Sequence, residues 1–181
     1  MRELPLGLSL CRLPDRTGPE HARARDFCLA VIREFYGFDY RADWHGDLDS
    51  LLVKPVENQF SMENRGAFWT LAKPSGGLAA TAAIKRFTWQ PRLVEALRER
   101  YPEPDRIATL VRVYVRNDLR GQGLGAWLNE LCEHEARALG YRELYLHASS
   151  DAPATLAFWQ SAGYAEFGAF GFSTHFDKRL T

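Results

Sequence analysis

The chain has 181 residues, of which 46% are apolar and 25% are charged, proportions that are ordinary for a globular domain with its own core. Its 23 basic residues are balanced by 23 acidic ones. There is therefore no net basic charge to attract nucleic acid, and no nucleic-acid partner is expected. No apolar run approaches the ~18 residues of a membrane span, and no signal-peptide pattern opens the chain, so no membrane association is expected.

The first third of the chain carries patterns for one strand and two helices. Leucines that alternate with smaller or polar residues predict a strand over residues 6–13. Pro19 suits the first turn of a helix, apolar residues recur at helical spacing after it, and Gly37 suits its end. A shorter helix is predicted over residues 47–54, where Pro55 would stop it.

The next segment is predicted to form a hairpin and then a helix. Strands are predicted over residues 67–73 and 78–89, because a strong turn signal separates them, Pro74-Ser75-Gly76-Gly77. Residues 91–101 resemble a short helix whose charges form a solvated face, and Pro102 closes it.

The remaining patterns alternate between strands and helices. β-Branched residues predict a strand over Ile107–Val115, and a leucine stripe predicts a helix over residues 123–139 that Gly140 caps. A strand over residues 144–148, a helix over 153–163 and two strands over 164–170 and 172–178 follow. This order predicts an α/β fold with a mixed sheet, in a single domain spanning residues 1–181.

Three cysteines are scattered along the chain, Cys11, Cys28 and Cys132. Their odd number prevents complete pairing, and no C-x-x-C spacing indicates a zinc site. The simplest interpretation is a reduced protein in the cytoplasm that holds no metal.

The most informative segment joins the strongest strand to the strongest helix: Arg120-Gly121-Gln122-Gly123-Leu124-Gly125. Glycines allow a close backbone approach and φ values that other residues avoid. The first turn of the helix presents unpaired N–H groups at the positive end of the helix dipole. The segment therefore has the chemistry of a cradle for a pyrophosphate.

Three interpretations compete for these glycines. A phosphate-binding P-loop would need Gly-Lys-Ser/Thr, whereas the chain continues Gly125-Ala126-Trp127. A dinucleotide-binding fingerprint would need an acidic residue after the next strand, which instead ends at His147. The third interpretation is a helix start whose glycines serve packing only, and the loop alone does not exclude it.

The wider context resembles the acetyl-coenzyme A signature of the GNAT superfamily. Residues 109–125 are similar to its fourth strand followed by Arg/Gln-x-x-Gly-x-Gly/Ala, and residues 157–164 resemble its second motif. The resemblance implies a mixed, mostly antiparallel sheet of six to seven strands with splayed fourth and fifth strands, flanked by about four helices. It also implies acetyl-CoA as the co-substrate, with no metal.

The resemblance also implies which residues would contact acetyl-CoA. The pantetheine arm would bond to the fourth-strand backbone, which could also donate an N–H to the thioester carbonyl. The pyrophosphate would rest on the glycine-rich loop, with Arg120 near the phosphates, while Arg116 could equally face solvent. The residues implied are Val113, Tyr114, Val115, Arg120, Gly121, Gln122, Gly123, Leu124, Gly125 and Ala126.

Two positions depart from the common pattern of the family. Thr109 occupies the place of a glutamate base, and Trp159 that of the tyrosine acid, and neither side chain can do that chemistry. His147 ends the fifth strand, where some relatives carry a base, and histidine titrates near neutral pH. We therefore predict His147 as the base, against the alternative of a histidine bonded within the sheet; His45, His134 and His175 are weaker candidates.

The acceptor is less constrained. Aromatic residues together with Asp43, Asp47 and Asp49 would suit a cationic amine, although core packing and helix capping explain the same residues. The leading prediction is N-acetylation of a primary amine of a small metabolite or amino-acid-like acceptor. The alternatives are a protein or peptide amine acetyltransferase and a non-catalytic acyl-CoA-binding sensor, and a homodimer stays open.

Overall fold

The computed structural model describes residue 4 and residues 7–180. The described chain forms seven strands and five α-helices. The strands are β1 (Ser9–Arg12), β2 (Ala67–Ala72), β3 (Leu78–Arg86), β4 (Ile107–Val115), β5 (Glu143–Ser149), β6 (Ala165–Phe170) and β7 (Ser173–Arg179). The α-helices are α1 (Pro19–Tyr36), α2 (Ala42–Asp49), α3 (Pro91–Ala96), α4 (Leu124–Ala138) and α5 (Pro153–Ser161).

One sheet joins all seven strands in the order β1-β2-β3-β4-β5-β7-β6. Every neighbouring pair is antiparallel except β4 and β5, which are parallel. The mixed, mostly antiparallel sheet of six to seven strands is therefore confirmed, with five helices around it rather than about four.

The parallel pair separates soon after it forms. Its ladder contains Ile107 opposite Glu143, Ala108 opposite Leu144 and Thr109 opposite Tyr145, and then it ends. Beyond that point, the backbone of β4 has no ladder to β5, although both strands continue. The predicted splay of the fourth and fifth strands is confirmed, and it opens a cleft in the middle of the sheet.

A β-bulge reshapes β4 beside this cleft. Val111 pairs with Ala83 and Tyr114 pairs with Thr81, so two residues of β4 oppose the single residue Ala82 of β3. Arg112 takes up the extra length with a φ of 55°, which is rare for a residue with a side chain. The Thr81 hydroxyl donates to the Arg112 carbonyl at 2.9 Å and holds the bulge.

The sheet is covered on both faces. One face packs against α4 and Trp159 of α5 in the largest apolar cluster. The opposite face carries two smaller clusters, one under α1 and α2 and one around Phe87, Tyr101 and Tyr145. Polar side chains, described below, lie between these two clusters and lead into the cleft.

Several predicted element ends differ from the structure. Strand β3 ends at Arg86, and Phe87–Trp89 is a 3-10 turn, because Phe87 leaves the strand to fill the third cluster. The helix predicted over residues 47–54 is displaced to α2, since only Leu48 and Leu51 of that stretch reach the core. Helix α3 ends at Ala96, five residues before the predicted end. Of the strand predicted over 6–13, Ser9–Arg12 is formed and residue 6 lies outside the described residues.

Candidate active site between the separating strands

The loop before α4 forms an open cradle at the end of β4. Gly121 and Gly123 have φ of 73° and 81°, left-handed values that favour glycine. A Cβ added at either position would meet no protein atom within 4 Å, so both glycines face open space. The first backbone bond of the helix runs from the Trp127 N–H to the Gly123 carbonyl at 3.0 Å. The preceding N–H groups therefore lie outside the helix ladder, as an anion site requires.

The other residues of the predicted loop have different surroundings. A Cβ on Gly125 would lie 3.3 Å from the Phe158 ring, so this glycine allows α4 and α5 to pack closely. The Leu124 side chain is buried in the largest core cluster. Gly125 and the Leu124 side chain therefore contribute to packing. Only the backbone N–H groups of these two residues could contribute to the cradle.

Two arginines flank the loop in different ways. Arg120 donates from Nε to the Val115 carbonyl at 3.1 Å, and its guanidinium lies 3.8 Å from the centre of the Phe35 ring. These contacts fix Arg120 at the end of β4. Arg116 is exposed and pairs with Asp118 at 2.9 Å. Because Lys73 also pairs with Asp118 at 3.2 Å, the one carboxylate of this loop is neutralised from two sides.

His147 lies where the strands have separated, two residues past the last β4–β5 pair. The hydroxyl of Tyr145 is 3.3 Å from His147 Nδ1 and 2.7 Å from Nδ1 of His175, which faces His147 across the β5–β7 ladder. The two imidazole rings stack with centroids 5.6 Å apart. Tyr145 and His175 are buried, whereas the His147 side chain is exposed in the cleft.

A buried ionic group from β3, β4 and α2 lies near enough to His147 to affect its charge. Arg112 Nε donates to Asp47 at 3.0 Å and Lys85 Nζ lies 3.6 Å from the same carboxylate, while Lys85 also donates to Gln59 Oε1 at 2.8 Å. Burial opposes the ionisation of Asp47, but the charges of Arg112 and Lys85 prevail and hold its pKa below the ordinary value. For Lys85, burial is the larger effect, and it lowers the pKa of the ammonium group.

The same surroundings determine how His147 titrates. Loss of hydration inside the cleft lowers the pKa of His147, and the positive charges of Arg112 and Lys85, with that of His175 when it is protonated, act in the same direction. Its exposed edge keeps some water, which moderates the shift. We therefore expect a pKa below the ordinary 6.5. A ring with such a pKa is neutral at pH 7 and has a free lone pair.

This gives a direct prediction for the isolated protein. A lowered pKa means that the His147 ring takes up its proton only as the pH falls below 6.5, instead of being half protonated there. An NMR titration of the histidine ring signals, assigned with a His147→Ala variant, should show this midpoint below 6.5. A midpoint at or above that value would contradict the environment described for the ring.

The two departures from the family pattern have structural explanations. Thr109 is fully buried, and its hydroxyl accepts a hydrogen bond from Gln90 Nε2 at 2.7 Å, which ties β4 to the start of α3. Trp159 is 7% exposed and packs edge-on against Phe158 and Tyr164, inside the core. Neither residue is available for proton transfer in the cleft.

Two of the three aspartates considered for binding a cationic acceptor already pair with other residues. Asp47 is committed to Arg112 and Lys85, and Asp49 accepts from Arg25 at 2.8 Å and from the Tyr40 hydroxyl. Of the three aspartates, only Asp43 is exposed without an ion pair among those between described residues. The structural interpretation of these residues is therefore the better one.

Four residues of the cleft were not expected from the sequence: Lys85, Arg112, Tyr145 and, as a partner of His147, His175. Alternation along β5 places Tyr145 on the face of His147, and this local signal could have found it. The other three depend on strand register.

Among residues 4 and 7–180, no helix is both long and apolar enough to cross a bilayer, and no cluster of His, Cys, Asp or Glu is suited to a metal ion.

The sequence and the fold both match known proteins. Residues 29–164, more than half of the chain, match the model of the acetyltransferase (GNAT) family. No curated protein sequence matches the chain. An acetyltransferase of the GNAT family from Staphylococcus aureus Mu50 has a TM-score of 0.71 at 12% identity, covering 96% of this chain and 100% of its own. PaiA N-acetyltransferase from Thermoplasma acidophilum, solved in complex with coenzyme A, has a TM-score of 0.70 at 14% identity, covering 96% and 99%. At these identities, the structural likeness shows the fold.

Proposed function

Because this chain belongs to the acetyltransferase (GNAT) family and is an acyltransferase, we propose that it moves the acetyl group of acetyl-CoA to a primary amine of a small, amino-acid-like acceptor. The observation that carries the proposal is the shared cleft. The open glycine loop follows the end of β4, the second half of β4 has no ladder to β5, and His147 lies on β5 beyond the last pair of that ladder.

The residues of the cleft fit acetyl-CoA. The open space before Gly121 and Gly123 would admit a pyrophosphate on the backbone N–H groups of residues 121–126. The edge of β4 at Val113–Val115 has no partner strand on the β5 side. Apart from the Val115 carbonyl, which accepts from Arg120, its backbone groups would bind an extended pantetheine arm. The relative from Thermoplasma acidophilum is known in complex with coenzyme A.

Acetyl-CoA supplies a thioester carbonyl that an amine can attack. The residues of this chain would then have two tasks. Backbone N–H groups of β4 would hold the carbonyl oxygen as it gains negative charge. His147 would accept the proton that the attacking amine loses, since its ring is neutral at pH 7 and exposed in the cleft. The C–N bond would form as the C–S bond breaks, and coenzyme A would leave as a thiolate that takes its proton from water or from protonated His147.

The charge of the cleft favours an acceptor that carries an anionic group beside its amine. Arg112 and Lys85 share the single carboxylate of Asp47, so this buried group has an excess positive charge. A carboxylate on the acceptor would balance that charge, whereas a polyamine would add to the repulsion. This consideration supports an amino-acid-like acceptor over a purely cationic one.

The proposal predicts selective stabilisation by acetyl-CoA. A ligand that binds only the native state adds RT ln(1 + [L]/Kd) to the free energy of unfolding, ~2.7 kcal/mol at one hundred times Kd. The melting temperature should therefore rise by several degrees with acetyl-CoA, and should not rise with NAD at the same concentration. Stabilisation by NAD alone would support the dinucleotide-binding interpretation instead.

The acceptor class is tested by thiol release from acetyl-CoA. Amino acids, the corresponding decarboxylated amines and short peptides with a free α-amine or a lysine form a matched panel. Release that is faster with amino acids than with their decarboxylated analogues would support the proposed acceptor. Release with peptides alone would support the protein acetyltransferase, and binding without release for any amine would support the sensor.

A further inference from the structure

Three side chains of the cleft share one hydroxyl group. Tyr145 OH is 2.7 Å from His175 Nδ1 and 3.3 Å from His147 Nδ1. A tyrosine hydroxyl has a single hydrogen to donate, so it cannot donate to both rings. When one imidazole accepts from the hydroxyl, the other can be bonded to it only as a donor.

The hydrogen bonds of His175 decide in which direction the Tyr145 hydroxyl donates. The shorter contact, 2.7 Å to His175, has the length of a hydroxyl that donates, whereas the 3.3 Å contact to His147 suits a ring N–H donor. Burial lowers the pKa of His175, and a hydrogen bond with the backbone of Phe170 acts in the opposite direction, as expected when a carbonyl accepts from a ring N–H. Since Nδ1 of His175 contacts Tyr145, the nitrogen that donates to Phe170 is Nε2. In the neutral ring, Nδ1 then carries the lone pair and accepts the Tyr145 hydrogen.

The direction of the Tyr145 hydrogen bond also determines which nitrogen of His147 carries the hydrogen. With its hydrogen given to His175, the Tyr145 oxygen can only accept, and the donor is the Nδ1–H of His147. His147 Nε2 is then left with the lone pair, on the side of the ring away from buried Tyr145. We propose that Tyr145 and His175 are positioning residues, which fix His147 in the tautomer whose Nε2 accepts a proton from the cleft.

This inference rests on the proposed role of His147 as the base, but its structural part can be tested alone. Other groups also face the ring, His175 from β7, Arg112 from β4, Lys85 from β3 and Asp47 from α2. They affect how readily His147 is protonated. Of the groups around it, Tyr145 OH is the one within hydrogen-bond distance of Nδ1, and it sets which nitrogen carries the hydrogen.

Two single variants are expected to differ in an informative way. In Tyr145→Phe, the hydroxyl is lost and the tautomer is no longer fixed, so kcat/KM should fall about tenfold, the effect of one lost hydrogen bond. In His175→Phe, the Tyr145 hydroxyl has lost its acceptor and turns to donate to His147 Nδ1. That bond places the hydrogen on Nε2 and removes the lone pair from the cleft, so the loss should be larger.

The double variant distinguishes the effect of a wrongly directed Tyr145 hydrogen bond from a simple loss of packing. Tyr145→Phe combined with His175→Phe removes the wrongly directed donor, so its kcat/KM should exceed that of His175→Phe alone. All three variants retain aromatic rings in the cluster, and their circular dichroism and acetyl-CoA affinity should match those of the unchanged protein. A double variant as slow as, or slower than, His175→Phe would overturn the proposal.

The tautomer can be read directly, without any acceptor or activity. At pH 7, nitrogen-15 NMR of the unchanged protein should show a protonated Nδ1 and an unprotonated Nε2 for His147. The His175→Phe variant should show the reverse. An Nε2–H tautomer of His147 in the unchanged protein would overturn the positioning role, whatever the activity. A His147→Ala variant with full activity would instead overturn the base assignment while leaving the tautomer result in place.

Discussion

Replacing Gly123 with valine is expected to abolish measurable binding of acetyl-CoA. Gly123 has a φ of 81° at the start of α4, where a β-branched residue is strained, and its missing side chain leaves open space. A valine would either shift the backbone of the cradle or project into the volume where phosphates would rest. Isothermal titration would show no heat of binding at concentrations that saturate the unchanged protein.

The opposite end of the same helix supplies a matched control. Gly140 has a φ of 78°, and a Cβ there would meet only the end of the Arg65 side chain, at 4.0 Å. Gly140→Val therefore carries a similar backbone strain, about 25 Å from the cradle by helix geometry. It should lose comparable stability, ~1–2 kcal/mol, and keep its affinity for acetyl-CoA. Equal affinity in folded Gly123→Val and Gly140→Val would show that this loop is not the phosphate site.

Replacing His147 with alanine is expected to lower kcat/KM by ~10²–10⁴-fold, the usual contribution of a general base. The ring borders the gap between β4 and β5, is exposed to the cleft and is neutral at pH 7, as a proton acceptor must be. Affinity for acetyl-CoA should hardly change, because the cradle belongs to a different part of the cleft. Steady-state kinetics with the best amine of the panel, together with titration of acetyl-CoA, measures both quantities.

His134 is the matched control for this experiment, since it is exposed on α4 and lies outside the cleft. His134→Ala should retain the kinetics of the unchanged protein. The amine acceptor must also lose a proton, so it contributes its own limb to the pH dependence of the rate. If His147→Ala kept full kcat/KM, the proton would have to leave by water, and the histidine cluster would be structural.

Features that depend on local pattern were predictable from the residues alone. Alternating and helical periodicities located all seven strands and four of the five helices, because a half-buried element must repeat its apolar residues at its own period. The segment from Arg120 to Gly125 carried the cradle, since left-handed turns and close approach require glycine at fixed offsets. The end of β3 was misplaced because burial of Phe87, a tertiary contact, decides where the strand stops. The end of α3 was misplaced where Leu97 and Tyr101 enter the same cluster.

The contacts around His147 follow from the fold of the whole sheet. Whether His147 faces the cleft depends on where the β4–β5 ladder ends, at Thr109 and Tyr145, and no local pattern records that point. Its link to His175 depends on the register of β5 against β7 and joins residues 28 positions apart in the chain. Asp47 similarly meets Arg112 only because the bulge in β4 turns that side chain towards α2. Hydrogen bonds act over about 3 Å, so they are determined when distant strands come into register, which is a property of the folded sheet.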